Sequence, residues 1–229
     1  MLFAAHQPQY LPWLGYFEKI DRVDRFVLLD DVQYKKNEWQ NRNRIKTAKG
    51  GEWLTVPVKA HLGQKINEVL IDSSKPWVHD HLKTFETNYH RAPFFKEFFP
   101  KLESVYQQKD WENLGEINIA LIRCLLDWLG IAQKKIVLSS SLDVQEKSTA
   151  RLVELGKRLK AETYLSGQDG KNYMDLTLFH QAQIKVQFQQ YHHPQYSQLF
   201  PPFESHLSVL DLLFNCGGES LKTIRQGKA

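Results

Sequence analysis

Apolar and polar positions follow two rhythms along this chain. Leu2, Phe3, Ala4 and Ala5 form a short apolar run that reads as a buried strand. From Leu14 the apolar residues Leu14, Phe17, Ile20 and Val23 recur at helical spacing. Phe26, Val27, Leu28 and Leu29 then make a second apolar run, closed by Asp30 and Asp31. That pattern predicts a buried parallel strand whose end meets solvent. Strand, turn, helix and strand in such close order predict a βαβ unit. Gly50-Gly51 predicts a turn between two runs that pair as a hairpin. Glu52 to Lys59 reads as a strand in which Pro57 marks an edge or bulge. Lys65 to Ile71 is a further short strand candidate.

Residues 74–130 change to helical spacing. Ser74 and Pro76 open a helix over Trp77 to Tyr89. Pro93 opens a second, with an apolar face of Phe94, Phe95, Phe98 and Phe99, and Pro100 is expected to interrupt it. Asn113 caps a third, whose stripe runs from Leu114 through Ile117, Leu121, Ile122 and Leu125 to Leu129 before Gly130 stops it. Alternation of strands and helices then resumes. Strands are expected over Lys135 to Ser139, Thr163 to Ser166 and Ile184 to Gln190, and helices from Ser148 and Leu207. The pattern predicts an α/β fold: a three-layer sandwich with a mainly parallel, doubly wound sheet and a helical insertion at about 74–130. The expected organisation is one α/β domain over 1–229.

Composition adds limits. Hydrophobic residues are 42% of the chain, enough to bury a sizeable core. The net charge of +4 is spread among interspersed charges of both signs, which argues against nucleic acid but favours an anionic substrate. Two cysteines make no disulfide framework. No leader pattern or membrane-length apolar run appears, so a cytoplasmic location is expected.

Candidate chemistry concentrates at element ends. His6 and Gln7 fall at the carboxyl end of the first strand, where ligands bind in open parallel sheets. Pro8 and Pro12 fix the turn that follows, and Tyr10 and Trp13 add aromatic surface. Asp31 is expected on the same edge as His6, either at a site or as the partner of an arginine. Residues 34–46 are too polar for a core element. Trp39 beside Asn41, Arg42 and Asn43 gives a platform next to groups that read phosphate or carboxylate. Ser166, Gly167 and Tyr173 belong to a glycine-bearing strand-to-helix turn that would close the far wall. That turn lacks the spacing of a Walker loop or a dinucleotide fingerprint. His192 and His193 have no evident third metal ligand, so no metal site is assigned. Cys124 reads as a buried small hydrophobe. Only residue type would pair Cys216 with either histidine as a nucleophile.

The run His6-Gln7-Pro8-Gln9-Tyr10-Leu11-Pro12-Trp13-Leu14-Gly15-Tyr16-Phe17 resembles the opening signature of the WbqC-like protein family. Leu29 to Tyr34, Asn41-Arg42-Asn43, Tyr164 to Gly167, Tyr173-Met174-Asp175 and Leu207 to Asn215 agree with it, in order, over nearly the whole chain. The resemblance implies an association with bacterial surface-polysaccharide synthesis and transferase chemistry. The first strand–helix junction is also loosely similar to nucleotidylyltransferases, although Tyr16 stands where their second histidine would be. Together these readings predict a transferase of acyl, aminoacyl or nucleotidyl type. Its substrate would be an anionic small molecule, nucleotide- or carrier-linked, with His6 and Asp31 catalytic and no cofactor specified. The alternative is a non-catalytic module that binds nucleic acid or a carrier protein through residues 39–46.

Overall fold

The computed structural model describes Met1–Lys228. Its centre is a five-stranded parallel sheet built from β1 (Leu2–His6), β2 (Arg25–Leu28), β7 (Lys135–Leu138), β8 (Thr163–Ser166) and β9 (Lys185–Phe188). The spatial order is β7-β2-β1-β8-β9. The chain starts at β1, winds outward to β2 and β7, then crosses back to β8 on the other side of β1 and ends at β9. The order therefore reverses between β1 and β8. The crevice beyond the carboxyl ends of those two strands is the expected ligand position of such a sheet.

Side-chain alternation produces three layers. Phe3, Ala5 and Val27 face α5 (Ser148–Arg158) and α6 (Leu176–Gln181) with Leu152, Leu155 and Phe179. Ala4, Phe26 and Leu28 face the opposite layer, which contains α1 (Leu14–Arg22). That layer also takes the apolar faces of α2 (Trp77–Tyr89), α3 (Phe95–Gln107), α4 (Leu114–Trp128), α7 (Val209–Cys216) and α8 (Ser220–Gln226). The fold is the α/β sandwich with a doubly wound parallel sheet that the patterning predicts, and helices α2 to α4 lie in the middle of the chain.

Local differences have local causes. Pro100 does not interrupt α3, which continues through it. Pro100 is exposed, so the carbonyl it leaves without a donor meets water. The polar segment 34–46 is not all loop: Arg42–Thr47 is β3, antiparallel to β4 (Gly50–Thr55). Ala48 and Lys49 make the turn, and Gly50, at φ +106°, starts β4. Pro57 separates β4 from β5 (Val58–Lys59), which pairs with β6 (Leu70–Ile71). The β2 strand stops at Leu28, because Asp30 and Asp31 turn away to bond other side chains.

Candidate functional site

The turn from Gln7 to Trp13 is held from below by its own backbone. Two of its residues are prolines and donate nothing, so its carbonyls carry the anchoring. Buried Asn43 donates to Leu11 O at 2.7 Å and Tyr10 O at 3.3 Å. Asn118 on α4 reaches Pro8 O, Val209 N reaches Pro12 O at 2.9 Å, and Tyr16 Oη reaches Gln7 O at 3.1 Å. Leu11 is held at φ +45°, a left-handed conformation that costs a leucine roughly 1 kcal/mol or more. Tyr10 points into the core and donates to His81 Nδ1 at 2.7 Å, while Tyr106 bonds the same hydroxyl. His81 Nε2 donates to Thr55 O at 3.1 Å, so that ring is neutral with its proton on Nε2. Burial holds its pKa at about 4.

With the backbone pinned, His6, Gln7 and Gln9 face a half-open cavity of about 570 Å³. It lies at the reversal point of the sheet. The start of α1 contributes Trp13, Gly15, Tyr16 and Lys19; Gly167, Gln168 and Asp169 follow β8; Gln189 and Tyr191 follow β9. Lys35, Glu38, Trp39 and Gln40 close the cavity from the loop before β3, and His206 borders it. The Trp13 indole stacks on His206 at 5.1 Å between centroids and meets Tyr191 edge-on at 5.6 Å. A methyl group at Gly15 would overlap that indole, so the ring needs glycine there.

Electrostatics favour neutral histidine. His6 Nδ1 lies 3.2 Å from Gln7 O, which only accepts, so Nδ1 carries the proton and Nε2 keeps its lone pair. Burial, followed by the nearby Lys19 charge, lowers the His6 pKa to about 3 against the opposing bond to Gln7. Lys19 is 5% exposed and burial lowers its pKa to about 8, against the pull of Glu18 and Asp169. Gln189 is buried and donates to Gly15 O and to Glu18, tying the end of β9 to α1. Gln9 is also buried, and its Oε1 has no partner.

Of the residues singled out in the sequence, His6, Gln7, Trp13, Trp39 and Gly167 meet at this cavity. The others lie elsewhere. Tyr10 and Asn43 are the buried anchors just described. Asn41 donates to Val56 O. Arg42 bonds Asn37 O and lies over the Trp53 ring at 4.2 Å. Ser166 is buried beside Met174, and Tyr173 is 73% exposed. Asp31 pairs with Arg151 at 2.5 Å and accepts from Ser139, the arginine-partner arrangement rather than a position beside His6. Burial raises its pKa, but those two bonds outweigh burial and hold it below the ordinary value. Cys216 has its thiol pKa raised by burial and by Asp211, the wrong direction for a nucleophile. Lys19, Gln189, Gln9 and Asp169 escape sequence reading. Lys19 sits inside an apolar helical pattern as an ordinary charged residue, and nothing local marks that it turns inward. Among the described residues, no group of three or more His, Cys, Asp or Glu side chains gathers to hold a metal. No helix there is long and apolar enough to cross a membrane.

Comparison with known proteins agrees with the signature. The model of the WbqC-like protein family matches residues 7–223. Uncharacterized protein Rv1507c of Mycobacterium tuberculosis is 38% identical over 225 residues, covering 97% of this chain and 96% of that protein. No solved structure matches the chain.

Proposed function

The chain belongs to the WbqC-like protein family, and we propose that it is a transferase acting on a nucleotide- or carrier-linked small substrate in surface-polysaccharide synthesis. The observation that carries the proposal is His6, with an unprotonated Nε2, on a roomy polar cavity at the reversal point of a doubly wound sheet. Five glutamines, Gln7, Gln9, Gln40, Gln168 and Gln189, border that cavity together with the indoles of Trp13 and Trp39. Each amide offers both donor and acceptor, which suits the vicinal hydroxyls of a sugar ring. The indole faces suit its C–H face.

His6 acts as general base on the acceptor group of the substrate. It is neutral across the physiological range, so it is always in the form that takes a proton. In the empty site it is a weak base, because burial and the Lys19 charge disfavour its cation. An anionic substrate beside Lys19 offsets that repulsion and raises the basicity of His6 when it is needed. Of residues 39–46 only Trp39 and Gln40 line the concave site, and Arg42, Arg44 and Lys46, which the binding module would use, are engaged with Trp53, Glu204 and Pro202, which favours the enzyme.

A thermal-shift screen against nucleotides, nucleotide sugars and acyl donors identifies the substrate class. Against that substrate, His6→Asn keeps a side-chain donor to Gln7 O but lacks the base. It is expected to bind within a few-fold of wild type and to lose turnover roughly 10²–10⁴-fold. The wild-type kcat/KM, which reports the free protein, is expected to show no inflection near pH 6.5, since His6 has its pKa lowered to about 3 there. A His6→Asn protein with the wild-type maximal rate overturns the assignment.

A further inference from the structure

Lys19 is 95% withdrawn from solvent, yet it makes no salt bridge and no hydrogen bond among the described residues. Its Nζ is not sealed off but opens onto the cavity, and a lysine this withdrawn is seldom without a partner. Lys19 stands one turn after Gly15 on α1, and helical side chains tilt toward the N-terminus. A Cβ on Gly167 would stand 3.3 Å from its Nζ, so the backbone after β8 approaches closely. Trp13, at the N-cap of α1, supplies no side-chain acceptor, and the first turn holds no acidic residue. The Leu14 amide faces Leu207 O across the bridge between Trp13 and Ser208, but the amide of Gly15, a cavity residue, has no acceptor among the described residues and stays open at the positive end of the helix. Two donors without acceptors, the Lys19 ammonium and the Gly15 amide, thus belong to the same cavity wall.

We propose that Lys19, with the free Gly15 amide in the first turn of α1, is the anchor for a phosphoryl group of the substrate. The inference rests on the transferase reading only in supposing that the ligand carries phosphate, and it adds a residue and a position for that group. A tetrahedral oxyanion accepts from the ammonium and from the Gly15 amide at once. The mono- or diphosphate of a nucleotide-linked substrate would lie here, with the remainder reaching toward Trp13 and Gln9.

The groups facing Lys19 fix its pH behaviour. His6 on β1 stays neutral above about pH 3. The phenols of Tyr16 on α1 and Tyr191 after β9 are raised by burial and stay protonated. His206 has its pKa lowered by burial and so stays neutral above the usual histidine range. Glu18 on its own helix, itself bonded to Gln189 and near Arg22, and Asp169 after β8 favour the ammonium; Lys35 and Glu38 stand across the opening. Between pH 6.5 and 9, Lys19 is the group at this end of the cavity that changes charge.

Sulfate is the probe, a tetrahedral dianion whose charge is constant over this range, titrated calorimetrically into the full chain. Wild-type affinity is expected to be level below about pH 8 and to fall up to tenfold per pH unit above it. Lys19→Met should bind roughly 10–100-fold more weakly at pH 7. Lys19→Arg should keep the affinity within a few-fold and lose the pH dependence. Asp169→Asn, which removes the opposing carboxylate, should bind more tightly. A folded Lys19→Met protein with wild-type affinity overturns the anchor. If that variant does not fold, wild-type affinity that stays level to pH 10 overturns it instead. Because sulfate binding involves no turnover, its failure leaves the role of His6 standing, and a failed His6→Asn test leaves the anchor standing.

Discussion

At the scale of residues, polarity marks where chemistry is available but not which way a side chain faces. Asn43 has the composition of a binding residue, flanked by arginines and close to Trp39. It is fully buried, and its amide spans the Gln7–Trp13 turn by donating to two carbonyls and accepting from Arg44 N at 2.7 Å. Asn43→Ala leaves these groups without partners in a site water does not reach, which should cost about 2–4 kcal/mol in urea unfolding. Ligand affinity should fall with the loss of a fixed turn. If stability is unchanged while affinity alone drops, Asn43 is a ligand contact and the anchoring role is wrong. Arg42 and Asp31 teach the same lesson, since each is engaged by the protein itself, over Trp53 and against Arg151, although Arg42 Nε is left without a partner among the described residues. His6 was legible because a strand end constrains its position. Lys19 was not, since its helix gives no sequence sign of which charged residue lies under a neighbouring loop.

At the scale of elements, legibility followed burial on two sides. The strands β1, β2 and β8 are short apolar runs with polar ends, and their pattern permits little else. β3 escaped because Arg42 and Arg44 stay partly exposed and buried Lys46 is neutralised locally, its Nζ donating to Pro202 O at 2.6 Å with Glu204 nearby. Helix α1 is organised by the site as much as by its apolar stripe. An ordinary Gly→Ala change inside a helix gains up to about 1 kcal/mol. At Gly15 the added methyl collides with the Trp13 ring, which must swing from its stack on His206. Gly15→Ala is therefore expected to melt near wild type while substrate affinity falls and Trp13 fluorescence changes. Unchanged affinity with unchanged fluorescence would remove Trp13 from the cavity wall.

At the scale of the whole molecule, the cavity is assembled from segments that lie far apart in sequence, after β1, β8 and β9 and in the loop before β3. Only the reversal in strand order brings them together, which is why the fold could be read further than the site. The same architecture holds neutral histidines in separate places: partly buried His6 at the cavity, buried His81 under the turn, and partly buried His193 beside the Trp13 stack. Burial is the leading cause in each, and their pKa values fall to about 3, 4 and 4. In the unfolded chain each takes a proton near pH 6.5. Below that pH the unfolded state thus binds more protons than the folded state, and stability falls as pH falls. Asp211 works the other way, because burial raises its pKa despite bonds from Tyr196, Tyr89 and Gln198, and it offsets up to one proton once carboxylates begin to titrate. Between pH 6.5 and 5, unfolding is therefore expected to take up on the order of two to three protons, measured as the dependence of the unfolding free energy on pH. His81→Asn, whose side-chain oxygen still accepts from Tyr10, should reduce that uptake by about one proton while lowering stability at pH 7. A melting temperature that holds level from pH 7 to pH 5 would show that these rings accept protons in the folded protein. The neutral His6 on which the proposed chemistry depends would then be the first assignment to go.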